Sequence, residues 1–406
     1  MGELWRKNAA IHLAMLINLL SIGSLMMVMP LAPDLVRHLG MQATHVGYIS
    51  GAATLASALS MAFAAPWLDS LKRKPALVVL LALRFALLLC CAMATNEHQL
   101  ILLFVLSGLI AGPMSALLMA SMLDIIAPAE RGRKLAYIGM GFSIAAIVVV
   151  PLALELALRW GWQAPFIFFG GFGLLLALLC QLLLQVPQHA PRPKGSVLPL
   201  LKSPLCLGAL AITTLQISGH FLLVPHFSNY FQFNLDFPRE QIGLLFLCGG
   251  LASLVAMRLA GVSLDRGQVV PVILLSSGGL ALTTWLGFAS PAGLPIYLVF
   301  VLFMATSAVR TNSSMTIAAG IPAPHQRAAF MAFQGTVSNV AAGLGSLFSA
   351  LYLTADANNH LQGFNQLSGF YVVVGLLTGV GMWLLQRGIQ RRDAASQNAG
   401  ITINAG

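Results

Sequence analysis

Apolar residues run along this chain in long blocks separated by short polar breaks. Twelve blocks can be delimited, at 9–31, 45–67, 75–95, 99–123, 135–156, 165–186, 205–231, 241–261, 269–288, 294–318, 329–353 and 367–388. Each supplies the roughly 20 residues that a helix needs to cross about 30 Å of hydrocarbon. Shared over twelve blocks, 406 residues leave about 34 per block, a span plus a short connection. The pattern predicts an all-α membrane protein of twelve transmembrane helices. It leaves no room for a soluble catalytic or nucleotide-binding domain, so an enzyme is not expected.

The blocks form two sets of six that echo each other at a constant offset of 196 residues. Asp69 falls on Asp265, Gly47 on Gly243, and Leu55, Ala56 and Ser57 on Leu251, Ala252 and Ser253. Ala127 and Pro128 fall on Ala323 and Pro324, Arg131 on Arg327, and Gly139 on Gly335, all without a gap. The one sizeable polar connection, 187–204, carries Pro187, Pro191, Pro193, Lys194 and Gly195 between the sixth and seventh blocks. A proline-rich segment of that length makes a semi-rigid tether. The expected organisation is therefore a six-helix bundle over 1–186, a cytoplasmic linker over 187–204 and a second bundle over 205–390. The small, polar tail at 391–406 is expected to be disordered. Duplicated apolar halves related by pseudo-symmetry are how secondary transporters are built.

Composition sharpens this picture. The chain is 58% hydrophobic and only 8% charged, with a mean hydropathy of +0.84, whereas a soluble domain carries about a quarter charged residues. The formal charge of +10 is explained by where the cations sit. Arg6, Lys7, Lys72, Arg73, Lys74, Arg131, Arg133, Lys134, Arg192, Lys194, Lys202, Arg258, Arg266, Arg327, Arg387, Arg391 and Arg392 all fall on one side of the membrane. The opposite loops hold Arg37, Arg159 and Arg239. This asymmetry places both termini in the cytoplasm and makes the basic balance a topological signal, with no nucleic acid expected. The first apolar run lacks an A-x-A cleavage pattern and reads as a retained helix. Cys90, Cys91, Cys180, Cys206 and Cys248 lie in apolar segments without paired spacing, so neither a disulfide framework, a metal nor a cofactor is expected.

Several polar motifs interrupt the apolar pattern in a recognisable order. The second and third blocks are joined by Ala65-Pro-Trp-Leu-Asp69-Ser-Leu-Lys72-Arg73-Lys74-Pro75, repeated as Gly261-Val-Ser-Leu-Asp265-Arg266-Gly267. After the fourth block comes Asp124-Ile-Ile-Ala-Pro128-Ala-Glu130-Arg131-Gly132-Arg133. Trp160-Gly161-Trp162-Gln163-Ala164-Pro165-Phe166 opens the sixth block and Ser218-Gly219-His220-Phe221 lies in the seventh. Together these resemble the major facilitator superfamily, in its drug:proton antiporter-1 and arabinose-efflux permease branch. The resemblance covers essentially the whole chain. It implies a monomeric, multi-pass efflux permease of the bacterial inner membrane that alternates access to a small amphipathic or anionic solute. It also implies that Asp124 pairs with Arg73. Asp69, Arg73, Asp124, Arg131, Asp265, Arg266 and Arg327 are expected either to form a conformational latch, since a charge at membrane depth needs a partner, or to be solvated loop charges.

Helices 1, 4, 7 and 10 line the path in the family that the motifs resemble, which directs attention to their polar residues. Helix 10 carries Thr306, Ser307, Arg310 and Ser314 on one face. Helix 7 carries Gln216 and His220 four apart, with Asn229 and Tyr230 beyond Pro225. Helix 1 offers Asn18 and Ser21, and helix 11 offers Gln334, Ser338 and Asn339. Arg310 stands mid-span, where a cation needs a partner; it is expected either to attract an anionic or polyhydroxylated ligand or to be neutralised by carbonyls at a helix break. Arg84, in helix 3, is expected to be structural. Methionines at 26, 27, 29, 114, 119 and 122 give either a plastic apolar wall or plain packing. No Asp or Glu occupies the middle of a block, so coupling to protons would fall to His220. An uncoupled facilitator, an anion exchanger or uptake permease, and a membrane sensor that binds without transporting remain open alternatives.

Overall fold

The computed structural model describes residues 2–68, 71–127, 130–186, 200–322 and 326–404. Asp69, Pro128, Ala323 and Pro324, and the linker residues 187–199, lie outside the described residues. The helices run in chain order as α1 (Gly2–Met26), α2 (Ala32–Leu39), α3 (Val46–Leu68), α4 (Arg73–Cys91), α5 (Glu97–Ile125) and α6 (Arg131–Gly139). They continue as α7 (Gly141–Ile144), α8 (Val150–Trp160), α9 (Ala164–Leu183), α10 (Pro204–Leu223), α11 (Phe227–Asn229) and α12 (Arg239–Asp265). The last four are α13 (Val269–Thr284), α14 (Ile296–Ala319), α15 (Arg327–Tyr352) and α16 (Phe364–Asn404).

Among the described residues, ten helical stretches are long and apolar enough to cross a membrane. The other two predicted blocks, 135–156 and 329–353, fall in the α6–α8 run and in α15. Two departures from the expected pattern stand out. A two-residue antiparallel pair, Thr354–Ala355 with Leu361–Gln362, sits between α15 and α16. The last helix is described through Asn404, across the stretch whose composition suggests a disordered tail; Ala394 and Ala395 favour helix there and no proline stops it.

Local sequence explains the breaks. Pro151 has no N–H to give, and the turn before it widens into a π-helix over Ala145–Val149. Pro225 ends α10 in a single 3-10 turn, Val224–His226. Asn96 starts α5 by accepting from the Gln99 backbone N–H at 3.0 Å, which satisfies one of the helix's open donors.

The packing divides the chain into two compact units that interleave in sequence. Unit 1 comprises Met1–Arg192, Phe221–Gly250 and Ala342–Phe364; unit 2 comprises Pro193–His220, Leu251–Ala341 and Asn365–Gly406. Within unit 1, glycines bring backbones together where no hydrophobic drive separates helix from lipid. A Cβ added at Gly108 or Gly112 of α5 would stand 2.3 Å from Ala53 O or 2.1 Å from Ser57 O of α3. Gly173 of α9 leaves room for the ring of Phe85 on α4, which a Cβ there would meet at 2.1 Å. Unit 2 has its own apolar core, with Leu210, Ile212, Ile273, Ile317, Phe330 and Met382 among its members.

Candidate functional site

Three helices of unit 2 each turn one face toward a cavity of about 70 Å³. From α10 come Thr213, Gln216 and Ile217, from α14 Thr311, Ser314 and Met315, and from α15 Met331, Gln334, Gly335 and Ser338. The repeated i, i+3, i+4 spacing is what places these side chains on one stripe of each helix. Cross-helix bonds hold the wall. Gln216 Nε2 donates to Thr311 Oγ1 at 2.9 Å and Gln334 Nε2 to Thr213 Oγ1 at 2.8 Å. Both glutamines are nearly inaccessible, at 2% and 3% exposure, and the Oε1 atom of each has no hydrogen-bond partner.

Of the residues expected at a binding site, Gln216, Ser314, Gln334 and Ser338 meet in this cavity. Thr213, Thr311, Met315 and Met331 join them without having been singled out in the sequence, although each continues the helical stripe of a neighbour that was. Arg310 sits outside the lining. It is 1% exposed and donates to Tyr371 Oη at 3.0 Å and Thr378 Oγ1 at 3.2 Å, both on α16. The Tyr371 ring lies 5.6 Å from its guanidinium carbon, within cation–π range. His220 belongs to the same polar group, with Nδ1 3.1 Å from Ser307 Oγ and its ring stacked on Phe303. Thr306 turns its hydroxyl back to Leu302 O at 2.7 Å, and its methyl lies against Gly279 of α13.

The two helix 1 candidates are held inside unit 1. Asn18 Nδ2 donates to Ile138 O at 2.9 Å. Ser21 receives Arg84, whose guanidinium bonds to the Ser21 hydroxyl, to Ser21 O at 2.6 Å and to Ser24 Oγ at 3.2 Å. Arg84 is 2% exposed, and all of these partners are uncharged. The expected structural role of Arg84 thus has its atoms: a cation in hydrocarbon satisfied by hydroxyls and a carbonyl.

The polar loops show one pairing that the motif resemblance implies: Arg73 Nε lies 2.8 Å from Asp124 Oδ2, with the carboxylate 2% exposed. Arg131 and Arg327, matched by the internal repeat, behave alike. Arg131 Nε donates to Ile126 O at 3.3 Å and Arg327 Nε to Pro322 O at 3.4 Å, each five residues back. Each cation covers open carbonyls just past the end of the preceding helix, where the macrodipole favours positive charge. Asp265 and Arg266 are exposed at the end of α12.

A second functional feature lies in unit 1, where Phe221–Gly250 and Ala342–Phe364 pack against the amino-terminal segment. Arg239 grips Asp34 with Nε at 2.9 Å and 3.0 Å and Nη2 at 2.6 Å, and Nη2 also reaches Leu154 O at 3.1 Å. Each side chain is 12% exposed, so the pair is a largely desolvated, forked ion pair. Asp34 stands in the first turn of α2, the end of a helix that favours an anion. Also in unit 1, Ser50 and Ser346 share a 2.7 Å hydrogen bond, and His226 Nε2 lies 2.9 Å from Ser349 Oγ. Asn229 Nδ2 donates to Ala43 O at 2.6 Å and Ser228 Oγ to Pro30 O at 2.8 Å. The backbones touch because Gly47 and Gly51 lack side chains: a Cβ would stand 2.6 Å from Ser346 O and 2.9 Å from Gly343 O. This seam joins α2 and the first turns of α3, the segment around α11 with the start of α12, and the last turns of α15. Among its members, Asn229, Gly47 and Arg239 are marked in the sequence, as a polar residue beyond Pro225, a repeat position and a cation of the opposite loops.

The sequence profile of the Major Facilitator Superfamily matches residues 14–346. A protein of Helicobacter acinonychis named "Probable sugar efflux transporter" is 31% identical over 144 residues, 35% of this chain and 37% of that protein. A chloramphenicol efflux pump of Mycobacterium tuberculosis is 24% identical over 263 residues, 62% of each chain. The chain therefore matches between about a third and three-fifths of the length of these curated relatives. Among solved structures, a bacterial homolog of the human lysosomal transporter Spinster, inward-facing and unoccupied, superposes with a TM-score of 0.76 at 13% identity. That superposition covers 94% of this chain and 97% of that one.

Proposed function

Because the chain belongs to the Major Facilitator Superfamily, a family of membrane transporters, we propose that it is an efflux permease that works by alternating access. Its cargo is a small organic solute, carried out of a bacterial cytoplasm across the inner membrane. The unit of function is one chain whose twelve spans form two pseudo-symmetric bundles, 1–186 and 205–390, with both termini in the cytoplasm. The one-sided distribution of cations supports that orientation, and the shared behaviour of Arg131 and Arg327 supports the pseudo-symmetry.

The observation that carries this reading is the seam in unit 1. Its residues come from helix ends and turns on the side that the charge asymmetry assigns to the outside, and they join segments from both halves of the chain through a buried ion pair and close backbone contact. A transporter of this kind needs an outer gate that closes completely in one state and parts in the other. Asp34, Arg239, Ser50, Ser346 and His226 are the residues that would have to part. On the cytoplasmic side the same task falls to the Arg73–Asp124 pair, with Asp69, Arg131, Asp265, Arg266 and Arg327.

The relatives are named "Probable sugar efflux transporter" and chloramphenicol efflux pump. Purified protein in proteoliposomes is expected to move radiolabelled sugar or chloramphenicol down an imposed gradient. Absence of flux of either, with binding intact, would identify a sensor. A second reading, facilitation without protons, is favoured by the lack of any Asp or Glu mid-span. A pH gradient that leaves the flux unchanged selects it, and accumulation against the solute gradient rejects it.

A further inference from the structure

The cavity of unit 2 has an uneven hydrogen-bonding capacity, and following its protons shows why. The Thr213 hydroxyl donates to Ala209 O at 2.8 Å, so toward Gln334, 2.8 Å away, it can only accept. That fixes the Gln334 carboxamide with its N–H toward Thr213 and its carbonyl oxygen unused. A flipped amide would set two acceptors against each other. The Ser338 hydroxyl is committed to Gln334 O at 2.9 Å. Gln216 places its amide N–H on Thr311, and its Oε1, like that of Gln334, is buried without a partner. Among the described residues, no Asp, Glu, Lys, Arg or His lines the cavity, and Ile217, Met315 and Met331 give it an apolar side.

Two unmet carbonyl oxygens in a low-dielectric pocket call for donors and oppose an anion. We propose that this cavity is the cargo site and selects an uncharged solute, one edge bearing at least two hydroxyl or amide N–H donors and the other apolar, against the matching carboxylate. The inference rests on the transport reading above and narrows it. As the helices part to admit the cargo, its donors meet Gln216 Oε1 and Gln334 Oε1, which are buried in the closed cavity, and its apolar edge lies on the two methionines, whose flexible thioethers adapt to shape. Arg310 donates to Tyr371 and Thr378 and keeps a buried Nε without a partner, but it stands outside the lining of this cavity.

The test compares phenyl β-D-glucoside with phenyl β-D-glucuronide, which differ in one carboxylate, on the purified full-length protein in nanodiscs by calorimetry. The glucoside is expected to bind at least about tenfold more tightly, the scale of one hydrogen-bonded group left unmet. Gln334→Leu is expected to weaken glucoside binding by about tenfold. Thr213→Val releases the amide to turn its N–H inward, and the preference is expected to fall to within about threefold. Gly335→Leu fills the cavity from a position where a Cβ meets nothing within 4 Å, so the protein folds and glucoside binding is lost. Equal or tighter glucuronide binding, no binding of either glycoside, or full binding by Gly335→Leu overturns the proposal. Selective binding without flux in proteoliposomes sinks the transport reading alone, while equal flux of both glycosides sinks the selectivity alone.

Discussion

Arg84 shows how a buried cation can be accommodated without a carboxylate. Its partners Ser21 and Ser24 are neutral and lie on another helix, 63 and 60 residues away. Ser21→Ala removes an acceptor and leaves a guanidinium N–H unmet, which is expected to destabilise the protein by about 1–3 kcal/mol. A lower midpoint of thermal unfolding, with unchanged affinity for phenyl β-D-glucoside, is the outcome to look for. Arg84→Met deletes the buried charge with its need for partners and is expected to be neutral or stabilising in the same assay. The sequence marks Arg84 and Arg310 as needing partners, because a charged letter in an apolar block is plain to see. It does not mark which serine, threonine or tyrosine answers, since a hydroxyl on any neighbouring helix suits a guanidinium. For the same reason Ser21 looked like a ligand contact, whereas the structure gives it to Arg84.

At the scale of elements, the spans and the stripes on α10 and α15 were legible because period and polarity are written directly in the letters. Helix contacts were legible only in part. Gly47 and Gly51 announce close approach, but their partner around Ser346, 299 residues away from Gly47, does not. The π-turn before Pro151 was also hidden, because a proline signals disturbance without saying which form it takes. Glycines make a sharp test of the packing. Gly112→Ala drives a Cβ to 2.1 Å from Ser57 O, a backbone atom that cannot swing aside, and is expected to cost about 1–3 kcal/mol. Gly278→Ala, in the interior of α13 with nothing within 4 Å of the added carbon, is expected to stabilise by about 0.5–1 kcal/mol. Thermal unfolding of the two variants side by side separates backbone contact from helix propensity.

At the scale of the whole molecule, the seam governs exchange between states. Asp34 and Arg239 are 205 residues apart, in a short helix and in the first turn of α12, and no periodicity connects them, so folding alone reveals the pair. Removing one partner of a buried ion pair strands the other charge, so Asp34→Ala is expected to weaken the closed seam strongly. In a background with the exposed Cys90 replaced by serine, Ser50→Cys reports this directly. A membrane-impermeant maleimide is expected to react about tenfold faster or more when Asp34→Ala is added, as a pair of this kind demands. Equal rates with and without Asp34 would show that the pair does not hold the seam.

The interleaving of unit 1 also bears on how the chain can be assembled. Phe221–Gly250 and Ala342–Phe364 are bound to Met1–Arg192 by non-covalent contacts, so the peptide joining the sixth and seventh spans is not what keeps those pieces together. Two open reading frames divided between residues 187 and 199 are therefore expected to complement each other when co-expressed. A tag on the first fragment should co-purify the second, and the Asp34→Ala fragment should recover less of its mate.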